Sequence, residues 1–280
     1  MNDKNLKELI EGAYQLLLGI GGREALNCEI DYYKRENLRS AFPTLLQVHV
    51  RMCDSIRNSG KMRLVINDNI FDAIKKRLIN ANLGNIARDK DVVKQLVANV
   101  TGLSSRELDK RSWKVFIDGA FCGAKWLLKF VNIDGLYGHL DAKSSQTVSA
   151  WSIVIDLDDI RGIGPAIACD FLKEIGMDNF GKPDVHVMDN VLGEKGVGWL
   201  PKNMKNREFR CFSIMRRMSE LTQWSTAQVD KILWMGSSGR WDKTLDDKES
   251  NCYLGSGRVL PIPVRKRKFK DFLSEFIAEH

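Results

Sequence analysis

No stretch of this 280-residue chain approaches the roughly 18 consecutive apolar residues that a membrane-spanning helix requires. The first residues, MNDKNLKEL, lack the apolar segment of a secretory leader, so a cytoplasmic protein is expected, associated with the nucleoid if the source is bacterial. Only six cysteines occur, at positions 28, 53, 122, 169, 211 and 252. Their scatter excludes the close spacing of an iron–sulfur or zinc site, so no metal ligands are assigned, and a reduced compartment is expected. Internal repeats and low-complexity tracts are also missing. What is present is a chain that is 44% hydrophobic, long enough for a large core in one or two lobes. Its formal charge of +7 and pI near 9.0 suit a polyanionic partner, and equally a plain basic globule.

The apolar spacing is mostly helical. Leu6, Ile10, Tyr14 and Leu17 share one face of residues 4–19, and helical runs follow near 41–57, 70–80, 89–101 and 112–131. KMRLVINDN (61–69) reads as a short β-branched strand, GLYGHLDAKSSQT (135–147) as a loop, and GEKGVGWLPKN (193–203) as a Gly-rich loop. The tail has a basic cluster, RKRK, followed by Phe269, Phe272, Leu273 and Phe276 at helical spacing. It reads as a helix docked on the core with its charges solvated, or as an added set of phosphate contacts.

The most informative stretch is LDDIRGIGPAIACDFLKEIGMDNFGKPDVHV (157–187). Leu157 and Ile160 fit the buried face of a first helix. Gly162 and Gly164 flank Ile163 where a backbone needs positive φ or close ligand approach. Pro165 suits the first turn of a second helix carrying Ile167, Ala168, Phe171, Leu172 and Ile175, and Gly176 suits its C′ position. The unpaired amides at the start of that helix form an anion site that grips phosphate without reading sequence. An ordinary Gly-turn αα-hairpin would look the same. After Gly181, Lys182 and Pro183 comes Asp184, just before a helical run starting near Val185. This carboxylate can cap that helix and still face a ligand.

These residues resemble the helix-hairpin-helix–GPD superfamily of DNA glycosylases, nearest the 8-oxoguanine glycosylase branch. The specific match is carried by Gly162, Gly164, Gly181, Pro183 and Asp184 over about thirty residues. The resemblance implies an all-α, two-lobed fold with double-stranded DNA in the cleft between the lobes. Residues 1–69 and 191–280 would form a terminal lobe and 70–190 a central one, holding the helix-hairpin-helix (157–176) and the Asp turn (181–187). It implies DNA contacts from Gly162, Ile163, Gly164, Ala166 and His186. In INANLGNIARDKDVVKQL (79–96), Asn85 matches the residue that fills the gap left by the extruded base, and Arg88 the contact to its orphaned partner. A polar helix–helix junction is the alternative there. Carbonyls of Ile160 and Ile163 would be the place for a monovalent cation, and no other cofactor is implied.

The departures bear on mechanism. Ala166 stands where the family's bifunctional members carry a lysine that attacks the sugar, and alanine cannot form a Schiff base. A monofunctional hydrolase is therefore expected, a monomer with double-stranded DNA as its partner, in which ionised Asp184 stabilises positive charge developing on the deoxyribose. Lys173 and Lys182 are near in sequence but off the family position. Asp170, one turn beyond Ala166, would line the base pocket and accept a proton donor of a flipped base, favouring a donor-bearing lesion or a modified cytosine. Its other readings are a solvated carboxylate or one paired with a nearby lysine. Gln228 and Trp234, on a late helix within 225–241, would close that pocket, and Trp234 also fits core packing. Two rival functions stay open: excision of modified bases from foreign DNA such as a phage genome, and a non-catalytic DNA-binding protein using the hairpin as a grip.

Overall fold

The computed structural model describes residues 2–34, 38–58, 62–241 and 260–280. Every regular element among them is a helix, in line with the expected all-α class, and none is long and apolar enough to cross a membrane. Two compact units share the chain. One comprises Met1–Leu38 with Asp178–His280, and the other Arg39–Met177.

The chain opens with α1 (Asp3–Asp31), capped by the Asn2 side chain and kinked at Gly22. The middle unit follows, with α2 (Leu45–Arg57), α3 (Met62–Val65), α4 (Asp68–Ile79), α5 (Leu83–Arg88), α6 (Lys90–Thr101), α7 (Ser105–Leu108), α8 (Arg111–Leu127), α9 (Ile133–Ser144), α10 (Thr147–Asp158) and α11 (Pro165–Glu174). Helix α8 is its hub. Phe116, Ile117, Ala120, Ala124 and Leu127 are buried along one face, and α2, α5 and α6 pack around it. Helix α2 also packs on α4 and α11, while α10 bridges α9 and α11.

Two local expectations fail here. Residues 62–65 are helical, not a strand, because Met62 and Ile66 form one buried i, i+4 pair and Asn67 caps α4 by accepting from the Ile70 amide. Residues 133–144 form α9, not a loop. Asn132 accepts from the Gly135 amide at 2.8 Å, and Leu136 and Leu140 are fully buried. Burial of that apolar stripe outweighs the poor intrinsic propensity of Gly135, Gly138 and Ser144.

The chain returns through α12 (Val185–Met188), α13 (Arg207–Leu221), α14 (Thr226–Ser238) and α15 (Ile262–Glu279), which join α1 in the terminal unit. Helix α14 is the hub of this unit, packed on α1, α12, α13 and α15. Leu9, Ile10 and Leu17 of α1, Met215 and Met218 of α13, and Ile232 and Leu233 of α14 form its core with Trp241. Phe269, Leu273 and Phe276 dock α15 on that core, while Lys266, Arg267, Lys268 and Lys270 stay exposed. Residues 193–203 form an irregular loop, as read.

The unit boundaries differ from the expected 69 and 190. Helix α2 belongs to the middle unit through its packing on α8 and α11. Residues 178–190 belong to the terminal unit, because the Asp178 carbonyl accepts from the Ala227 amide at 2.9 Å and Phe180 is buried beside Phe212. The hairpin thus lies in one unit and Asp184 in the other.

Candidate functional site

In the middle unit the hairpin forms as its residue types dictate. Gly162 has φ 90°, a backbone that L side chains avoid, and a Cβ there would sit 2.8 Å from Val115 and 3.1 Å from Ile56. Ile160 and Ile163 are buried, and the Ile163 amide donates to the Ile160 carbonyl at 2.9 Å to close the turn. That bond engages one of the two carbonyls proposed for a cation. Gly164 is the N-cap of α11, with Pro165 following at its first position. The Ala166 and Ile167 amides have no acceptor among the described residues, so the helix start presents free donors. At the far end Gly176, φ 86°, donates to Lys173 and Met177 to Leu172, a Schellman cap.

Arg161 at the hairpin tip donates to Asp118 of α8 at 2.8 Å, and Lys90 reaches the same carboxylate at 3.2 Å. Lys90 starts the helix just after the Asn85–Arg88 segment, so Asp118 ties that segment to the hairpin. Asn85 and Arg88 are both exposed on α5, whose Ile86 and Ala87 are buried. Asp118 and Lys90 are members that sequence spacing did not signal. Asp170 and Ala166 are half-buried on α11, and Lys173 approaches Asp170 to 3.5 Å. Of the readings for Asp170, the lysine-paired one is therefore realised, and its burial needs no flipped base to account for it.

In the terminal unit Asp184 is half-buried and is the N-cap of α12. Its Oδ1 accepts from the His186 amide at 2.9 Å and the Val187 amide at 3.2 Å. Both bonds use one oxygen, and Oδ2 has no partner among the described residues. Burial pushes the Asp184 carboxyl above its ordinary value, and the nearby Asp230 carboxylate pushes in the same direction. Asp230 is buried on α14, and no spacing in the sequence marked it.

His186 lies edge-on to Trp234, with ring centroids 6.1 Å apart, and its Nδ1 is 3.5 Å from Ser237 Oγ. Lys231 Nζ sits 4.7 Å over the Trp234 ring and pairs with buried Glu29 at 2.9 Å. Trp234 thus packs against the core and also borders the Asp184 turn's histidine. Gln228 is placed differently from its expected role. Its Oε1 accepts from the Ser225 amide in a capping box and its Nε2 lies 3.5 Å from Asp31, so its amide is engaged in holding the start of α14.

A buried pair outside this region, His49 and Cys53 on α2, is chemically quiet. Desolvation lowers the His49 imidazole to about 4 despite its 2.7 Å contact with the Ala120 carbonyl, and burial drives the Cys53 thiol far up. A neutral thiol is a poor nucleophile, so the pair is packing. Cys252 lies outside the described residues. No protein family, curated protein or solved structure was found to match this chain.

Proposed function

We propose that the protein is a monofunctional DNA glycosylase of the two-lobed helix-hairpin-helix kind, which flips a damaged or modified nucleotide and hydrolyses its N-glycosidic bond. The observation that carries the reading is the division of labour within Asp184: one oxygen is fixed by two backbone amides, and the other has no partner among the described residues. A carboxylate held in this way is oriented in advance, and its free oxygen can stabilise an oxocarbenium-like centre or orient the attacking water. The Ala166 and Ile167 amides at the start of α11, with no acceptor among the described residues, would grip a phosphate. Ala166 supplies no amine, and Lys173 is buried and paired with Asp170, so neither the family's lysine position nor Lys173 offers a Schiff-base nucleophile.

In this mechanism the flipped nucleotide is bound by its flanking phosphates, and the bond from the anomeric carbon to the base breaks with the electron pair leaving on the base. Water adds to the sugar carbon, the proton it loses ends on the departing base, directly or by way of the Asp184 carboxylate, and an abasic site remains. The reading is tested by incubating the wild-type protein with a panel of damaged and naturally modified duplexes and analysing released bases by mass spectrometry. Free base should appear, with strand breakage only after alkali. A covalent adduct trapped by borohydride would overturn the monofunctional mechanism. Absence of any released base across the panel, with duplex binding intact, would favour the non-catalytic DNA-binding reading.

A further inference from the structure

Helices α14 and α15 approach so closely at Gly236 that a Cβ there would lie 2.2 Å from the Phe269 ring. Beside this contact opens a cavity of about 450 Å³ within the terminal unit. Lys266 and Lys270 of α15, Lys195 of the 193–203 loop, Asn190 and Ser237 line it, over a floor of Phe269 and Leu273. The spacing of 266, 269, 270 and 273 is one face of a helix, so α15 docks by its phenylalanine and leucine and presents both lysines to the opening.

Three features define what this cavity takes. First, Lys195, Lys266 and Lys270 are exposed, and none has a carboxylate within ion-pair distance among the described residues. By contrast, the neighbouring cations Arg207 and Lys231 are paired with Asp189 and Glu29. Three ammonium groups around one cavity, with no carboxylate partner among the described residues, suit a multiply charged anion. Second, these are compact point charges and not a planar guanidinium fork, so the match is to phosphate oxygens from several directions more than to a single carboxylate edge. Third, Phe269 and Leu273 are only 2% and 3% exposed, so the floor has no open aromatic face on which a base could stack. The cavity would therefore grip phosphate and ignore the base.

We propose that this cavity is a phosphate-binding site, filled either by the backbone of a nucleic acid strand or by the phosphates of a small molecule. Ser237 connects it to His186, whose Nδ1 lies 3.5 Å from the Ser237 oxygen. When Nδ1 carries the proton it donates to that oxygen, and the serine hydroxyl is free to donate to a phosphate. The site stands on its own residues and does not depend on Asp184 being catalytic.

The test replaces the three lysines together, Lys195→Met, Lys266→Met and Lys270→Met, keeping the stems and removing the charges. A control carries Lys4→Met, Lys202→Met and Lys205→Met, equal in charge change and also at exposed positions. Binding to an undamaged fluorescent duplex is measured by anisotropy between 50 and 200 mM salt, and binding to pyrophosphate by calorimetry. If the strand backbone fills the site, the cavity variant loses about a hundredfold in duplex affinity, and its salt slope falls by about 2 to 3 relative to the control. If a small molecule fills it, pyrophosphate binding to the wild type disappears in the cavity variant while duplex affinity follows the control. If neither ligand distinguishes the cavity variant from the control, the proposal is overturned. Base release by the wild type is scored separately, so loss of either idea leaves the other standing.

Discussion

At the scale of single residues, substitutions of Asp184 test its capping role apart from the proposed chemistry. Asparagine caps a helix about as well as aspartate, whereas alanine costs about 1 kcal/mol at such a position. Asp184→Asn should therefore keep the start of α12, and Asp184→Ala should lower the unfolding free energy by about that amount. The sign of the pH effect follows from the raised carboxyl. Below the ordinary value of 3.8 the side chain is protonated in both states and burial carries no charge penalty. As the pH rises through the folded value, stability is lost in the wild type but not in Asp184→Asn. Urea unfolding from pH 3 to pH 7 should show the asparagine variant gaining on the wild type across that window; a constant difference would mean that the carboxyl is not raised. Base release by the wild type should fall as the pH drops through the same raised value, and Asp184→Asn should reduce it about 100-fold or more at neutral pH. The capping role of Asp184 was legible because Pro183 and the apolar run after it mark a helix start. The approach of Asp230, forty-six positions onward in the numbering, had no local signature.

At the scale of elements, the two hairpin glycines make different demands. Gly162→Ala forces a side chain onto φ 90° and against Val115 and Ile56, and should cost about 2 kcal/mol in chemical denaturation. Gly164 has φ −100°, and a Cβ there would meet nothing closer than Asp158 Oδ1 at 4.0 Å. Gly164→Ala should therefore change stability by less than about 1 kcal/mol. If the hairpin backbone approaches phosphate, the same methyl group should weaken duplex binding about tenfold, because the donors it shields are those of the helix start. Unchanged affinity would return the hairpin to an ordinary helix connection. The hairpin was legible because glycine and proline constrain the backbone locally. Helix α9 was not, since Gly135, Gly138 and Ser144 mask an apolar stripe whose meaning appears only when Leu136 and Leu140 find the neighbouring helix. Leu140→Ala, emptying a fully buried position, should cost about 2 to 5 kcal/mol, and a loss near zero would contradict α9 as a packed element.

At the scale of the whole molecule, the boundaries are the part least visible in sequence, because a unit is defined by contacts and not by composition. Neither the helical periodicity of α2 nor the turn-rich sequence of residues 178–190 marks which core each one joins. One residue closes the middle unit on itself. Arg39, its first residue, donates to Asp141 through both terminal nitrogens at 3.0 and 2.6 Å, and to Met177, its last residue, at 3.0 Å. Its guanidinium also lies 4.4 Å above the Tyr137 ring, and Tyr137 donates to the Ile175 carbonyl at 3.1 Å. Entry and exit of the segment are thus clasped by a bidentate, partly desolvated cation, a geometry worth more than an exposed ion pair. With its own buried core and its ends fastened to each other, a fragment of residues 39–177 should fold without the rest of the chain. Circular dichroism should show a helical protein with a single cooperative melt. Arg39→Met, which keeps a comparable stem but removes the clasp, should lower the fragment's stability by about 1 to 2 kcal/mol. A fragment that stays unstructured would mean that the middle unit draws its stability from the terminal one. The hairpin and Asp184 would then belong to one folding unit despite their separate cores.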